Sequence, residues 1–551
     1  MTDLQRRTVL KSTAVAGVVG TAASFSVPTA AAATPWFRHG VASGDPLPHA
    51  VVLWTRVTPS AAATPGSGQG PGVTLTWQVA RDAAFTRVVR EGTCRTGPAR
   101  DHTVKVDATG LAPDTAYHYR FSCQGRTSGV GRTRTAPAAD ALPSGLRLGI
   151  VSCANLQAGW FSAYRHLARR DDLQAIVHLG DYLYEYGPGE YGYGHDDVDV
   201  RPHEPAHEMV SLADYRRRHA QYKRDTDLQA LHAKYAFITT WDDHEVANDA
   251  WQDGAENHQP GEGVFEARRA AAQRAYDEWM PIRLSGTAAT GDGTRMFRRL
   301  QFGQLAELSM LDLRSYRDEQ AGPTGTTTVS DPERTLTGTA QREFLLESLS
   351  SKRAQWKLVG NPVMIAPVTF AQLPADLVDP VNDVTGILPR DGVPYNTDQW
   401  DGYTDDRREV LSHIRDHGVR DVVFVTGDIH SGWASDLPYD AGTYPVSDSA
   451  GVEFVCTSVT SNNLKDITGT PARTSSLGVE ATLRANNRHV KYLNFDDHGY
   501  SVLDITAERV QMDWFVIGDR KDPRAGVSWT ASYATAAGTS TVVPVDHPVQ
   551  Y

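Results

Sequence analysis

Two absences narrow the function of this chain: it has no excess of positive charge, and it has no long apolar run after its first 33 residues. The 551 residues carry a formal net charge of −12, whereas a protein that neutralises nucleic-acid phosphates needs a basic face. No later stretch approaches the roughly 20 apolar residues of a membrane-spanning helix. The sequence therefore argues against a general nucleic-acid binder and against a transmembrane segment in the mature chain. A phosphate-bearing substrate stays open where bound cations supply positive charge.

The first 33 residues are typical of an export signal, and we exclude them from the fold. Residues 5–11 read QRRTVLK, a twin-arginine pattern, and an Ala/Gly/Val-rich run follows it. An Ala-x-Ala-type cleavage site lies within Ala30–Ala33. The alternative is a basic start before a Sec-type signal or a short anchor. We expect a secreted protein that the twin-arginine (Tat) machinery exports already folded, a route whose cargo often carries a loaded cofactor.

Cysteine is scarce, with only Cys94, Cys123, Cys153 and Cys456 in the chain. Outside the cell a disulfide is permitted, and four cysteines allow three pairings. Cys94 and Cys123 both lie in N-terminal stretches that are typical of strands, so we favour a disulfide between them. A free thiol at Cys153 would need a reason of its own.

The length of the chain exceeds one ordinary core and predicts two or more domains. Residues 34–137 are predicted to form a small all-β domain, in which VTLTWQVA (73–80) is rich in strand formers and HTVKVDATGL (102–111) alternates. The Leu-x-Pro-x-Thr-x-Tyr-x-Tyr run at 111–119 resembles the tyrosine corner of fibronectin type III-like sandwiches, and another small β-sandwich is the alternative. The Pro/Ala-rich stretch at 133–144 marks the boundary.

Residues 144–551 are predicted to form an α/β domain, because apolar strands alternate with helical segments such as 160–170 and 263–280. The predicted strands are LRLGIVSC (146–153), LQAIVHLGD (173–181), YAFITTWDDHE (235–245), LAELSMLDLRSY (305–316), WKLVGNPVMIA (356–366) and DVVFVTGDIH (421–430). In open α/β sheets ligands gather at strand ends. We therefore expect the chemistry at one end of one sheet.

Polar side chains recur where these strands end. They are Cys153 with Asn155, Asp181 with Tyr184, Asp242 with Asp243 and His244, then Asn361, and finally Asp428 with His430. Singly each has a plain explanation: a strand-terminal aspartate is often a helix N-cap, a lone histidine is usually a hydrogen-bonded core residue, and an asparagine before proline suits a turn. Their recurrence in one order favours a common site.

Taken together, these motifs resemble a known enzyme family. GDYLY (180–184) followed by GDIH (427–430) is similar to the calcineurin-like metallophosphoesterases, in the manner of purple acid phosphatases. More closely, the chain resembles the PhoD-like alkaline phosphatases, a family that includes a calcium-dependent secreted phospholipase D of actinomycetes. The matching segments are 39–57, SC (152–153), GDYLYEY (180–186), WDDHE (241–245), LDLRSYRD (311–318), GNPVM (360–364), QWDGY (399–403) and TGDIHSGW (426–433). The resemblance implies a four-layer metallophosphoesterase β-sandwich flanked by helices, after a small fibronectin III/Ig-like domain.

The resemblance also implies Fe³⁺ with Ca²⁺ beside it, and the residue types suit an iron site. Tyr184 offers a phenolate, which a hard ferric ion favours, and Cys153 offers a thiolate whose pKa a metal would lower. Asp181 has two carboxylate oxygens and could bridge two metals. His430 fits iron through a neutral imidazole nitrogen.

The implied calcium ligands are oxygen donors, as Ca²⁺ prefers: Asp243, Asp428 and the amide of Asn361. The wider superfamily often has histidine where Asp428 stands in the Gly-Asp-x-His motif, and asparagine where Asp243 stands in WDDHE. Here both positions are aspartate, and carboxylate ligands favour a hard, larger cation over zinc.

The implied reaction is hydrolysis of phosphomonoesters or phosphodiesters outside the cell, by a metal-activated hydroxide or oxide. His244 matches the superfamily histidine that protonates the leaving alkoxide or orients the substrate, and the alternative is a structural histidine bonded to Asp242. Arg314 is a candidate phosphate ligand, with a salt bridge as the alternative. Lesser candidates are Asn248, His498 and Tyr500.

Two other functions stay open. A calcium-dependent phospholipase D would share the metal site and differ in the walls around it, where the long loop at residues 187–210 is expected. A catalytically inactive secreted protein would use the β-sandwich to bind a cell-wall or polysaccharide ligand. An intact set of ligands argues against the inactive protein, since Asp181, Asp428 and His430 are all present.

Overall fold

The computed structural model describes residues 36–284, 295–322, 328–370 and 392–550. Ala32–Tyr551 form one compact unit. The predicted export signal at residues 1–33 lies outside the described residues and stays a prediction. Among the residues that are described, no helix is both long enough and apolar enough to cross a membrane.

The described residues form 22 strands. In chain order they are β1 (Val41–Leu47), β2 (Ala50–Arg56), β3 (Val73–Ala80), β4 (Val88–Thr96), β5 (Thr103–Thr109), β6 (Ala116–Cys123), β7 (Arg126–Thr127), β8 (Gly131–Arg134), β9 (Leu146–Val151), β10 (Ala175–Leu179), β11 (Ala236–Thr240), β12 (Arg298–Phe302), β13 (Ala306–Met310), β14 (Trp356–Asn361), β15 (Val422–Thr426), β16 (Gly432–Pro438), β17 (Ser449–Val455), β18 (Val490–Asn494), β19 (Gly499–Ile505), β20 (Arg509–Ile517), β21 (Val527–Ala536) and β22 (Val543–Pro544).

The same part of the chain contains eight α-helices, α1 (Ser162–Arg169), α2 (Leu212–Tyr222), α3 (Thr226–Lys234), α4 (Phe265–Trp279), α5 (Thr339–Leu349), α6 (Thr404–Asp416), α7 (Leu464–Thr468) and α8 (Ser475–Asn486). The predicted helical segments at 160–170 and 263–280 are confirmed as α1 and α4. Helix α2 begins at a capping box, in which the Ser211 hydroxyl accepts from the Asp214 N–H and the Asp214 carboxylate accepts from the Ser211 N–H. This exchange satisfies two backbone donors that the first turn would otherwise leave open.

The described strands assemble into three sheets. The ten-stranded sheet has the order β22-β21-β20-β19-β9-β10-β11-β1-β2-β5, the seven-stranded sheet β12-β13-β14-β15-β17-β16-β18, and the five-stranded sheet β4-β3-β6-β7 with β8 paired to β6. The six predicted α/β strands are confirmed as β9, β10, β11, β13, β14 and β15. The prediction that they end at one edge of one sheet was wrong, because β9 to β11 and β13 to β15 belong to different sheets. An apolar run indicates that a strand is buried but does not specify its neighbours.

Three buried cores join these sheets and helices. On β10, Ile176 lies in a core shared with α1 to α4, while the next residue, Val177, lies in the core between the ten-stranded and seven-stranded sheets. Successive side chains of a strand point to opposite faces, so one short apolar run contributes to both cores. The other face of the seven-stranded sheet packs against α5, α6 and α8.

The N-terminal segment forms two faces that enclose a core of their own, with Leu53, Leu75 and Tyr119 among its residues. One face is the five-stranded sheet, and the other is β1, β2 and β5, which extend the ten-stranded sheet because β1 pairs parallel with β11. The Tyr117 hydroxyl accepts from the Ala112 N–H at 2.9 Å, the contact of a tyrosine corner. The predicted small sandwich therefore shares a sheet with the rest of the chain.

The predicted disulfide between Cys94 and Cys123 was wrong, because both thiols are free. Cys94 on β4 pairs with Leu75 on β3, while β6, which carries Cys123, pairs with β3 from the other side. Two strands that flank a third lie about 9–10 Å apart, beyond the ~7 Å limit for bridging two cysteines. The thiols contact backbone carbonyl groups of β3 instead.

Candidate metal centre

The predicted site residues follow the carboxyl ends of parallel strands from both large sheets. Cys153 follows β9, Asp181 follows β10, and Asp428 and His430 follow β15. These four residues have positive φ angles of 58°, 54°, 64° and 50°. A left-handed conformation costs an L-residue about 1–2 kcal/mol, and such strain concentrates at functional sites. Tertiary contacts, rather than local preference, therefore hold these turns.

Glycine is required in both Gly-Asp motifs because neighbouring strand ends approach closely. A Cβ on Gly180, whose φ is 109°, would lie 2.5 Å from the Cβ of Asp242. A Cβ on Gly427 would lie 2.8 Å from the Cβ of Ser152. The two glycines thus bring the end of β10 beside that of β11, and the end of β15 beside that of β9.

One cluster, which we call the mixed-donor group, contains Cys153, Asp181, Tyr184 and His430. The potential ligand atoms of Cys153, Asp181 and His430 all lie within 4.8 Å of one another. The Tyr184 hydroxyl lies 2.9 Å from Asp181 Oδ2 and 3.3 Å from His430 Nε2. Burial lowers the pKa of His430 to about 4, so its imidazole is neutral, as a metal ligand must be.

The mixed-donor group fits a cation. Asp181 Oδ1 is buried and has no hydrogen-bond partner in the described structure. Burial raises the pKa of the Cys153 thiol, the Asp181 carboxyl and the Tyr184 hydroxyl well above their ordinary values. A buried anion is costly unless it is paired or coordinates a metal, and a bound cation is what would stabilise these three anionic forms together.

A second cluster, the carboxylate group, contains Asp242, Asp243 and Asp428, whose ligand oxygens also lie within 4.8 Å of one another. A further group of Asp181, Asp243 and His244 links it to the mixed-donor group. Asp181 and Asp243 are therefore each shared between neighbouring groups. The all-oxygen composition suits a hard cation such as Ca²⁺, whereas the other cluster adds sulfur, phenol and imidazole.

His244 lies at the junction of the two clusters. Its Nδ1 is 2.8 Å from Glu185 Oε2, and its ring lies 4.0 Å from that of Tyr184 between centroids. Burial alone would lower its pKa, but the carboxylates of Asp243, Glu185 and Asp181 raise it well above the ordinary value. The alternative of a histidine bonded to Asp242 was wrong, since the partner is Glu185. The arrangement suits a proton donor that faces the cavity.

Arg314 is engaged by carboxylates. Its Nε and Nη2 lie 2.6 and 3.0 Å from the two oxygens of Asp242, and its Nη1 lies 2.9 Å from Asp398. Asp243 and Asp428 are 3.7 and 3.6 Å from the same guanidinium. The structure therefore shows the salt-bridge alternative, and the phosphate-ligand role stays a prediction.

Asn361 ends β14, as the sequence indicates, but its side chain is already hydrogen-bonded. Its amide oxygen accepts from the Trp400 indole N–H at 3.1 Å, and its amide nitrogen donates to the Val363 carbonyl and to Thr426 Oγ1. It does not line the cavity beside the clusters. Its role as a calcium ligand stays a prediction.

Two residues that the sequence did not reveal hold these candidate ligands in place. Glu245 accepts backbone N–H groups from Asp181, Tyr182 and Asp242 at 3.0, 2.6 and 2.8 Å, which ties the ends of β10 and β11 together. Glu185 holds His244. Both lie inside the quoted motifs WDDHE and GDYLYEY, but no spacing rule assigns the partners that lie 59 to 64 residues away in the sequence.

A cavity of about 410 Å³ opens onto the clusters, and Asp181, Asp243, His244, Asp428 and His430 are among its lining residues. No lysine or arginine lines it among the residues described. An anion in the cavity would therefore depend on bound cations and on His244 for positive charge. The 187–210 loop contributes Tyr191 to the wall, so this loop reaches the site.

The three lesser candidates, Asn248, His498 and Tyr500, lie in different surroundings. Asn248 lines the cavity. His498 is bonded instead to Asp466 at 2.8 Å and to Ser458 at 2.9 Å, and Tyr500 stacks in a core against Phe515. Only the first of the three reaches the space where a substrate would bind.

The chain is similar to known proteins over most of its length. Residues 148–514 match the PhoD-like phosphatase family, and residues 20–137 match the PhoD-like phosphatase N-terminal domain. The chain is 37% identical over 504 residues to alkaline phosphatase D of Bacillus subtilis (strain 168), which covers 90% of this chain and 80% of that protein. A solved structure described as the structure of PhoD superposes with a TM-score of 0.81 at 34% identity, covering 93% of this chain and 92% of the other.

The family match extends through both parts of the chain, and the superposition covers nearly all of both proteins. The potential metal-binding clusters described above lie within the region that matches the PhoD-like phosphatase family. The chain belongs to the PhoD-like phosphatase family and is a phosphoric ester hydrolase.

Proposed function

We propose that this chain is a secreted Fe³⁺/Ca²⁺-dependent phosphoesterase that hydrolyses phosphomonoesters and phosphodiesters. Cys153, Asp181, Tyr184 and His430 would hold the ferric ion, and Asp243 and Asp428 would hold calcium. The bound ions would supply Lewis acidity toward the phosphoryl oxygens and a nucleophile at neutral pH. The cavity lining supports these roles for bound cations, because it has no lysine or arginine among the described residues.

His244 supplies the proton for the leaving alkoxide. It lines the cavity, and its Nδ1 is held by Glu185, which leaves Nε2 as the second nitrogen of the ring. The carboxylates around it favour the protonated form. A positioned acid of this kind contributes about 10²–10⁴-fold to rate. Glu185 orients it and is itself fixed by the Asn248 N–H at 2.7 Å.

The observation that carries the proposal is the partnerless buried oxygen of Asp181 within a cluster of thiol, phenol and imidazole. The test is a substrate panel at alkaline pH on metal-loaded protein, comparing p-nitrophenyl phosphate, bis-p-nitrophenyl phosphate and phosphatidylcholine. We expect turnover of the first two that is lost on metal removal. Full turnover by protein free of iron and calcium would overturn the proposal.

Calcium-dependent phospholipase D is the second candidate, because part of the cavity lining is apolar. Ile429, Leu464, Ile467 and Phe495 line the cavity, and Ile467 is 55% exposed. An apolar wall of this kind suits an ester with an apolar moiety. Release of choline from phosphatidylcholine at a rate above that of p-nitrophenyl phosphate hydrolysis would favour this candidate.

Export by the twin-arginine route is also part of the proposal, and it rests on QRRTVLK at residues 5–11. Replacing Arg6 and Arg7 together with lysine is expected to abolish secreted activity while the protein accumulates inside the cell. Secretion of the double variant at the wild-type level would instead favour a Sec-type signal.

A further inference from the structure

The segment at residues 459–463 is tied to the backbone of Cys153. The Val459 N–H donates to the Ser152 carbonyl at 3.0 Å, and the N–H groups of Thr460 and Ser461 both donate to the Cys153 carbonyl at 3.2 Å. Three backbone hydrogen bonds therefore fix this segment to the end of β9. We call residues 459–463 the support loop.

The Ser461 hydroxyl has two acceptors within reach. Its Oγ lies 2.6 Å from the Tyr184 oxygen and 3.0 Å from the Cys153 carbonyl oxygen. A hydroxyl carries one proton, so it donates to only one of them. The Cys153 carbonyl already accepts two N–H groups, which fill its two lone pairs, whereas a Tyr184 phenolate would be acceptor-only and negatively charged. Hydrogen bonds to charged acceptors are roughly twice as strong, so the proton goes to Tyr184.

The next residue of the support loop controls His430. The Asn462 carbonyl lies 2.7 Å from His430 Nδ1, so this nitrogen carries the proton and Nε2 keeps its lone pair. Nε2 is the nitrogen that lies 3.3 Å from the Tyr184 oxygen. Adjacent residues of one loop thus orient two of the four side chains of the mixed-donor group.

The support loop is in turn clamped from the C-terminal part of the chain. Arg520, which is buried, donates to the Thr460 carbonyl and, at 2.6 Å, to Asn462 Oδ1. The Thr460 hydroxyl donates to the Asn155 carbonyl at 2.7 Å. The loop is therefore fixed on both sides, as a preorganised ligand support requires.

We propose that Ser461 is a positioning residue whose hydroxyl donates a hydrogen bond to the Tyr184 phenolate. This hydrogen bond would hold Tyr184 in place and reduce the electron density that the phenolate donates to the cation. The proposal rests on the ferric site of the proposed function. Partners of this kind typically contribute about 10–100-fold to metal affinity or activity. Ser461 does not line the cavity, and its hydroxyl contacts the Tyr184 oxygen, so its effect is transmitted through Tyr184.

The test uses the full mature chain purified with iron and calcium, and the variants Ser461→Ala and Ser461→Thr. The control is Ser435→Ala, because Ser435 is a buried serine on β16 whose hydroxyl has no partner in the described structure. The readouts are iron content and the position of the visible band that a phenolate-to-ferric charge transfer gives. Loss of the hydrogen bond raises the energy of the phenolate electrons, so Ser461→Ala should move the band to longer wavelength and weaken iron binding about 10-fold or more. Ser461→Thr keeps the hydroxyl and should retain the wild-type band, as should Ser435→Ala.

Three results would overturn the inference. If Ser461→Ala binds iron fully and its visible band does not move, the role of Ser461 is overturned, while the proposed ferric site is not. If Ser461→Ala retains no iron, the inference is overturned by a shifted band in Ser461→Thr, because threonine keeps the hydroxyl donor. Absence of any band in the iron-loaded wild type overturns both this inference and the ferric phenolate of the proposed function.

Discussion

The two clusters of the site are built from similar anionic groups but are stabilised in different ways. The mixed-donor group is surrounded by hydroxyl, backbone and imidazole contacts, with Ser461 and Asn462 as partners. The carboxylate group surrounds the guanidinium of Arg314, which is paired with Asp242 and Asp398. The first cluster leaves an unpaired oxygen on Asp181, whereas the second is already partly neutralised. We therefore expect tight binding of a highly charged ion at the first and weaker, exchangeable binding at the second.

The largest effect is expected from Asp181→Asn, because Asp181 is shared between two of the potential metal groups. Loss of one carboxylate charge should lower the content of both metals and reduce kcat/KM by about three orders of magnitude or more. The matched control is Asp253→Asn, an exposed aspartate. Metal analysis and p-nitrophenyl phosphate hydrolysis provide the readouts. Loss of one metal alone would show that the two clusters are not linked through Asp181.

Calcium chelation should separate the two clusters in the wild-type protein. A strong Ca²⁺ chelator is expected to abolish activity, and added Ca²⁺ should restore it, because the carboxylate group offers only the oxygen donors that Ca²⁺ prefers. The visible band of the mixed-donor group should persist throughout. A band that disappears in parallel with activity would contradict the difference in affinity between the clusters.

Replacing Arg314 tests the neutralisation of the carboxylate group. Arg314→Met leaves buried Asp242 without its ion-pair partner and leaves Asp398 paired with Arg317 alone, which should lower the free energy of unfolding by about 3–5 kcal/mol. Arg314→Lys keeps the charge but loses the bidentate contact and should cost less. The control is Arg524→Met, whose side chain is 91% exposed. Equal unfolding free energies for Arg314→Met and Arg524→Met would contradict the account.

The smallest effect is a shift in the pH profile when Glu185 is changed to Gln. The pKa of His244 is raised above its ordinary value of 6.5, with Asp243, Glu185 and Asp181 opposing the effect of burial. Protonated His244 therefore stabilises the fold fully below pH 6.5, and this contribution is lost as the pH rises through the folded pKa. Without the Glu185 charge the pKa falls, so the alkaline limb of kcat/KM should move to lower pH. An unmoved limb would exclude His244 as the acid.

The sequence predicted the elements of the site better than their partners. The strands β9, β10, β11 and β15 end where the sequence changes from an apolar run to polar residues, as predicted. Strand burial and turn chemistry are local properties, so the sequence indicates them directly. Sheet membership depends on distant parts of the chain. We therefore predicted the site at the end of one sheet, whereas it lies between two sheets. The same limit applies to the free thiols of Cys94 and Cys123, which are separated by one intervening strand.

The contacts that hold the ligands could not be predicted for a similar reason. His244 is held by Glu185 and Tyr184 by Ser461, across 59 and 277 residues of sequence. No periodicity connects such positions, and only the packing of β9 against the support loop brings Ser461 to the phenol. Motif membership pointed to the candidate ligands themselves, since their residue types suit metal coordination, and their role as ligands stays a prediction.

The central claim is that Cys153, Asp181, Tyr184 and His430 form an iron site beside a calcium site. The most direct test is metal analysis with visible absorption spectroscopy on protein purified without chelator, for the wild type and Tyr184→Phe. We expect iron and calcium in the wild type, with a visible band that Tyr184→Phe abolishes. Zinc alone with full activity, or an unchanged band in Tyr184→Phe, would contradict the account.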